Sequence, residues 1–115
     1  MTTTAGTAMA SVLIVDDHPV MRRGLAQIIN DMAETSVCDE AAGVAEALER
    51  IRAHCPDVVV VDISLGDGNG LELTKDIKAQ WPDVKVLVTS MHDESLFAER
   101  ALRAGALGYV SKSDD

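Results

Sequence analysis

The sequence predicts an α/β fold built on a mostly parallel sheet. Two observations carry that prediction. Short apolar runs rich in β-branched residues alternate with segments of helical periodicity, giving five strands and four helices in the order βαβαβαβαβ. The connections between them are short, as parallel strands joined by helical crossovers require.

The first strand is Val12-Leu13-Ile14-Val15, which stops at Asp16-Asp17. His18-Pro19 opens a helix, with proline where a missing N–H costs little. Met21, Leu25, Ile28, Ile29 and Met32 recur at helical spacing and define its apolar face, with Arg22 and Arg23 on other faces. A weaker strand covers Thr35 to Glu40, and Gly43 ends it. Val44, Ala47, Leu48 and Ile51 mark the second helix, which must end before Pro56. Asp57 to Asp62 is the clearest strand: its four consecutive valines leave no polar face, as in a strand covered on both sides. The loop Gly66-Asp67-Gly68-Asn69-Gly70 follows, then a third helix lined by Leu73, Ile77 and Trp81, with Pro82 just past it. Val84 to Thr89 is the fourth strand, closed by Ser90. Asp93-Glu94 suit the first turn of a fourth helix, whose stripe is Phe97, Ala101 and Leu102. Arg100 and Arg103 suit its last turns, and Gly105 its C-terminal cap. Leu107 to Val110 is the fifth strand, followed by Ser111-Lys112.

Composition narrows the function. At 115 residues the chain makes one domain, large enough to bury a core without staples. Trp81, Phe97 and Tyr109 are the only aromatics, so that core is aliphatic. Nineteen Asp and Glu against ten Lys and Arg leave a formal charge of −9. That balance argues against direct nucleic-acid binding, which needs clustered cations, and against an anionic membrane surface. No run approaches the about 18 apolar residues of a membrane span. Residues 1–11 carry no charge, lack the pattern of a secretory signal and read as a disordered leader. Cys38 and Cys55 lack metal-ligand spacing and read as reduced thiols of a cytoplasmic protein.

The polar residues at the strand ends carry the chemistry. Ligands of an open parallel sheet bind beyond the carboxyl ends of its strands, where the strand order reverses. Here those ends hold Asp16-Asp17, Asp62, Ser90 and Ser111-Lys112. If strands 1 and 3 are neighbours, three carboxylates converge, an unstable arrangement without a counter-ion. A hard dication such as Mg²⁺ is the economical remedy. Each residue taken alone has a structural reading, as a turn aspartate, a helix-entry serine or a solvated lysine. The glycine-rich loop lacks the lysine and hydroxyl of a phosphate-binding P-loop. His18 and His92 lie near the same strand ends without a third ligand at zinc spacing, and His54 reads as a helix-end surface residue.

Taken together, the runs VLIVDDHPVMRRGL, VVVVDISLGDGNGLEL, VLVTSMHDE and GALGYVSK resemble the receiver domain of two-component response regulators, the NarL/FixJ (LuxR-type) branch in particular, over about residues 12–113. The resemblance implies a flavodoxin-like, CheY-like doubly wound sheet of order 2-1-3-4-5. It implies Asp62 as phosphoacceptor for a sensor histidine kinase. Mg²⁺ or Mn²⁺ would be held by Asp17, Asp62 and the backbone carbonyl of Ser64, with Asp16 acting mainly through water. Ser90 would donate to one phosphoryl oxygen and Lys112 would neutralise another. Tyr109 would move with Ser90 and reshape the helix 4 and strand 5 surface that controls an effector. Ser64 and His92 would tune the lifetime of the phosphorylated state. The first helix and its neighbouring loops would meet the kinase, and a LuxR-type DNA-binding domain would follow in the full protein.

Two departures stand out. Gly66 occupies a place where the family often has proline, so a looser loop is expected. A fifth helix normally follows the lysine, whereas only Ser113-Asp114-Asp115 remain here. The expectation is therefore a receiver domain over 12–115 truncated before its last helix, with self-association or lowered stability where that helix would cover the sheet. Three other readings compete. A pseudo-receiver would be an interaction module without phosphorylation. A phosphohydrolase of the haloacid dehalogenase type would need Asp-x-Asp after strand 1, where this chain has Asp16-Asp17-His18. A flavin carrier would need a phosphate loop there.

Overall fold

The computed structural model describes residues 9–66, 68–90 and 95–111, the side chains at 95–97 and 111 excepted. Five strands form one parallel sheet: β1 (Ala10–Val15), β2 (Thr35–Ala41), β3 (Val58–Asp62), β6 (Lys85–Ser90) and β7 (Gly108–Ser111). Their order across the sheet is β2-β1-β3-β6-β7, which is the expected 2-1-3-4-5 once two short strands are set aside. Those two, β4 (Ser64–Leu65) and β5 (Gly68–Asn69), pair antiparallel in the loop after β3. The helices are α1 (Pro19–Asp31), α2 (Val44–His54), α3 (Gly70–Gln80) and α4 (Ser95–Arg103).

Strand alternation splits the core in two. Leu13, Val15, Val59, Val61, Val86 and Val88 point to one face and meet Ala47 and Ile51 of α2, Leu73 and Ile77 of α3, and Ala101 of α4. Val12, Ile14 and Val60 point to the other face and meet Ala26 of α1, with Leu25, Ile29 and Leu87 packed around them. Both faces of β3 are thus covered, the reason its valine run tolerates no polar residue. No aromatic side chain is among the described buried core residues; Trp81 and Tyr109 pack at its edge.

Several boundaries differ from the expectation. β1 begins at Ala10, two residues inside the expected leader. The Ala10 N–H donates to the Glu34 carbonyl at 2.9 Å, and the Ser11 N–H donates to Asp57 Oδ2 at 2.8 Å. Partners at the entries to β2 and β3 recruit these residues without any hydrophobic signal of their own. Residues 1–8 of the leader lie outside the described residues. On α1, Ile28 and Met32 are exposed, not on the buried face; that face centres on Ala26, flanked by Leu25 and Ile29. α2 ends in a left-handed residue, Cys55, at φ 46°. Gly105, at φ 106°, follows α4 as expected of a C-terminal cap. No helix among the described residues is long and apolar enough to cross a membrane.

Candidate metal centre at the strand ends

The chain leaves β1 toward β2 on one side and returns to β3 on the other, so β1 and β3 flank the reversal in strand order. Their carboxyl ends open a crevice there. Asp62 is the last residue of β3 and is 2% exposed, and Asp16 follows β1 directly and is 1% exposed. Asp17 is half-buried beside them. The structure thus brings together the three carboxylates that the strand ends suggested. With His18 they offer one ligand atom each, all within 4.8 Å of one another.

Backbone and side-chain contacts hold this set in place. The Asp16 N–H donates to the Ala41 carbonyl at 3.0 Å. Arg22 reaches back from α1: its Nη1 donates to the Asp16 carbonyl at 2.7 Å and its Nε to Glu40 Oε1 on β2 at 3.0 Å. One cationic side chain thereby ties the end of β1, the first turns of α1 and β2. Asp16 Oδ1 accepts from the His18 N–H at 2.9 Å, closing a tight turn into the helix. The Ser64 N–H lies 3.4 Å from Asp62 Oδ1 as a weak donor.

The loop after β3 shapes the other wall. In it Ser64 pairs with Asn69 and Leu65 with Gly68, and Asn69 Oδ1 caps α3 by accepting from the Leu71 N–H at 2.7 Å. Gly66 lies against the acid set, where a Cβ would sit 3.2 Å from Asp17 Oδ2. Gly70 makes the closest approach, since a Cβ there would fall on the Asp62 carbonyl oxygen. The bare backbone of Gly70 lets α3 start directly behind the strand end that carries Asp62.

Ser90 ends β6, 1% exposed, one residue past the Thr89 that pairs with Asp62. Tyr109 pairs with Val88 on β7, shares the sheet face of Ser90 by alternation, and packs half-buried against the larger core cluster. Ser64 is exposed on β4. Lys112 and His92 lie outside the described residues, as does Asp67. His54 is exposed at the end of α2, with Nε2 3.0 Å from Asp39 Oδ2.

His18 is the residue that sequence reasoning underrated. Its Nδ1 lies 3.1 Å from Asp16 Oδ1, 3.0 Å from Asp17 Oδ1 and 3.7 Å from Asp62 Oδ2. The signal was its place between an acid pair and a helix-opening proline, which aims its side chain back over the strand end. The donor set suits a hard dication: three carboxylates, with Asp17 Oδ1 buried and accepting no hydrogen bond.

Comparisons with known proteins agree with this architecture. Residues 12–115 match the family model described as "Response regulator receiver domain". The chain is 43% identical over 104 residues to the DNA-binding transcriptional activator DevR/DosR of Mycobacterium tuberculosis, an alignment covering 90% of this chain and 48% of that protein. It is 38% identical over 103 residues to the oxygen regulatory protein NreC of Staphylococcus carnosus, covering 89% and 48%. The chain therefore spans about half the length of these curated relatives. Among solved structures, a LuxR-family two-component response regulator from Aurantimonas sp. SI85-9A1 superposes with a TM-score of 0.89 at 39% identity, covering 94% of this chain and 77% of the other. The signal receiver domain of the putative response regulator NarL from Mycobacterium tuberculosis gives 0.87 at 31% identity, covering 94% and 87%. With its strand order, its acidic crevice and these likenesses, the chain belongs to the response regulator receiver domain family.

Proposed function

We propose that this domain is a phosphorylation-dependent switch that accepts a phosphoryl group on Asp62 from a sensor histidine kinase. The observation that carries the reading is the convergence of Asp16, Asp17 and Asp62 at the ends of neighbouring strands, with Ser90 at the end of the next. In the transfer, an Asp62 carboxylate oxygen attacks phosphorus. The new O–P bond forms as the P–N bond to the donor imidazole breaks, and the imidazole leaves with the electron pair and takes up a proton. A bound Mg²⁺ or Mn²⁺ would screen the carboxylates and neutralise charge on the phosphoryl oxygens. Asp17, Asp62 and the Ser64 carbonyl would hold that ion, with Asp16 acting through water.

The product carries about −1.5 to −2 of new charge and new acceptor oxygens. The Ser90 hydroxyl would donate to one of them and the Lys112 ammonium would neutralise another. Movement of Ser90 would free space on the face it shares with Tyr109, so the ring would turn inward and change the α4–β7 surface. Ser64 and His92, each two residues past an active residue, would govern water access and hence the lifetime of the phosphoryl group. The domain would act on no other substrate.

In the whole protein this surface would control a DNA-binding effector, and the kinase would dock on α1 and its neighbouring loops in the cytoplasm. The α1 side of the sheet, where Val110 is 52% exposed and Leu87 half-buried, supports self-association as well. Light scattering at rising concentration, with and without phosphodonor, tests that point; a constant monomer mass would exclude it.

Incubation with Mg²⁺ and acetyl phosphate, read by intact mass, tests the switch itself. One labile phosphoryl adduct is expected, absent in Asp62→Asn. No adduct under any condition would favour a phosphorylation-independent interaction module instead.

A further inference from the structure

We propose that the groove between α3 and α4 binds a small anion carrying two or more linked phosphate groups, gripped by Lys75, Arg100 and Arg103. The groove has a volume of about 460 Å³, inside the range of about 300–1,000 Å³ of small-molecule sites. Leu71 and Ala104, both buried, give it an apolar floor. Lys75 lines it from α3, and Arg100 and Arg103 line it from α4.

Its charge sets it apart from the rest of the domain. Three cations and one carboxylate, Glu72, line a groove in a chain whose formal charge is −9. The chain has ten Lys and Arg in all, so nearly a third of them stand at this one place. Arg100 and Arg103 lie about one turn apart on α4, where like charges repel. The helix dipole accounts for cations in the last turns of α4, but not for Lys75, midway along α3 on the opposite wall.

The partners of these cations leave capacity for a ligand. Lys75 Nζ lies 3.2 Å from Glu72 Oε2, and Arg103 Nη2 lies 3.3 Å from Glu99 Oε1. All four side chains are more than half exposed, so both pairs are weak and a multiply charged anion can displace the carboxylates. Among the described residues Arg100 has no ion-pair partner. Arginine forks grip phosphate oxygens in pairs and lysine adds a point charge, so cations on two walls suit linked phosphates better than one. The spacing of the walls is held. Past α4, a Cβ at Gly105 would lie 2.9 Å from Lys78 Cγ, and Lys78 Nζ donates to the Pro82 and Val84 carbonyls at 2.7 and 2.8 Å.

Calorimetric titration of the intact chain with pyrophosphate, ADP and adenosine tests this. It is run without divalent metal at about 0.1 M salt, where charges more than about 10 Å away are screened. Pyrophosphate and ADP should each bind once per chain, and adenosine should not bind. Tighter binding of ADP assigns an organic phosphate whose body lies on the floor of Leu71 and Ala104; equal binding assigns the phosphates alone. Lys75→Gln and Arg100→Gln should each weaken pyrophosphate binding at least tenfold. Arg23→Gln, which removes an exposed cation from α1, should change it less than twofold. Circular dichroism checks that each variant is folded. Amide NMR shifts on adding pyrophosphate should cluster at residues 69–75 and 100–105. No saturable binding, equal losses in all three variants, or shifts that cluster elsewhere would overturn the proposal.

Discussion

Replacing Gly70 with alanine sets a methyl group against the backbone that carries Asp62. The added Cβ would fall on the Asp62 carbonyl oxygen and lie 2.8 Å from Ile63 Cα and 2.9 Å from the Asp62 carbonyl carbon. Neither partner can yield cheaply. The Gly70 N–H donates to the Ile63 carbonyl at 2.9 Å, and the Ile63 N–H donates to the Thr89 carbonyl at 2.9 Å, so loop, helix start and sheet are pinned to one another. Overpacking of this kind costs about 1–3 kcal/mol, and the upper end applies where backbone must move. Exchange of glycine for alanine at a helix start returns less than about 1 kcal/mol. The net expectation is a loss of about 2–3 kcal/mol, or a Tm lowered by roughly 10–20 °C for a domain of this size. Gly24→Ala is the internal control: it lies mid-way along α1 with nothing within 4 Å of its added Cβ, and should gain about 0.5–1 kcal/mol. Urea unfolding and thermal melts of the two variants measure the difference. A Gly70→Ala protein within 1 kcal/mol of wild type, or one as stable as Gly24→Ala, would refute the close-approach argument.

Cys55 is a non-glycine residue in the left-handed region at φ 46°, ψ 60°, so Cys55→Gly should stabilise the domain by up to about 1 kcal/mol, read by urea unfolding. Destabilisation would show that the thiol makes a contact outweighing the strain. The two cysteines should also differ in reactivity. Burial, with smaller contributions from the Asp39 and Asp57 charges, pushes the Cys38 thiol up from its ordinary range, whereas Cys55 is exposed. A raised pKa means less thiolate at any pH below it, so iodoacetamide at pH 8 should alkylate Cys55 first. The Cys38 rate should keep climbing as pH rises past the usual cysteine range. Peptide mass spectrometry resolves the order, and faster alkylation of Cys38 would contradict the burial argument.

The elements that were legible in the sequence were those with a strong local pattern. Val58–Val61 announced a strand covered on both sides, and the aspartates ending β1 and β3 announced a shared crevice before any geometry was known. What escaped depends on distant partners. Ala10 and Ser11 join β1 because Glu34 and Asp57 supply hydrogen bonds from elsewhere in the chain. The β4–β5 pair is two residues long on each side, too short to leave a periodicity. Ile28 and Met32 fit a helical stripe yet face solvent, because the width of the buried stripe is set by the sheet beneath α1 and not by the helix. Single residues acting at short range were hardest to read. Arg22 looked like a surface cation and instead clamps Asp16 to Glu40, and His18 looked incidental and instead leans over all three acids.

The account depends most on Asp62 being the residue that takes the phosphoryl group. Acyl phosphates are trapped by borohydride, which reduces the modified aspartate to homoserine and marks it for peptide sequencing. After treatment with Mg²⁺ and acetyl phosphate, the mark is expected at position 62 and at neither Asp16 nor Asp17. Marking at another carboxylate, or an adduct of which none maps to Asp62, would contradict the account.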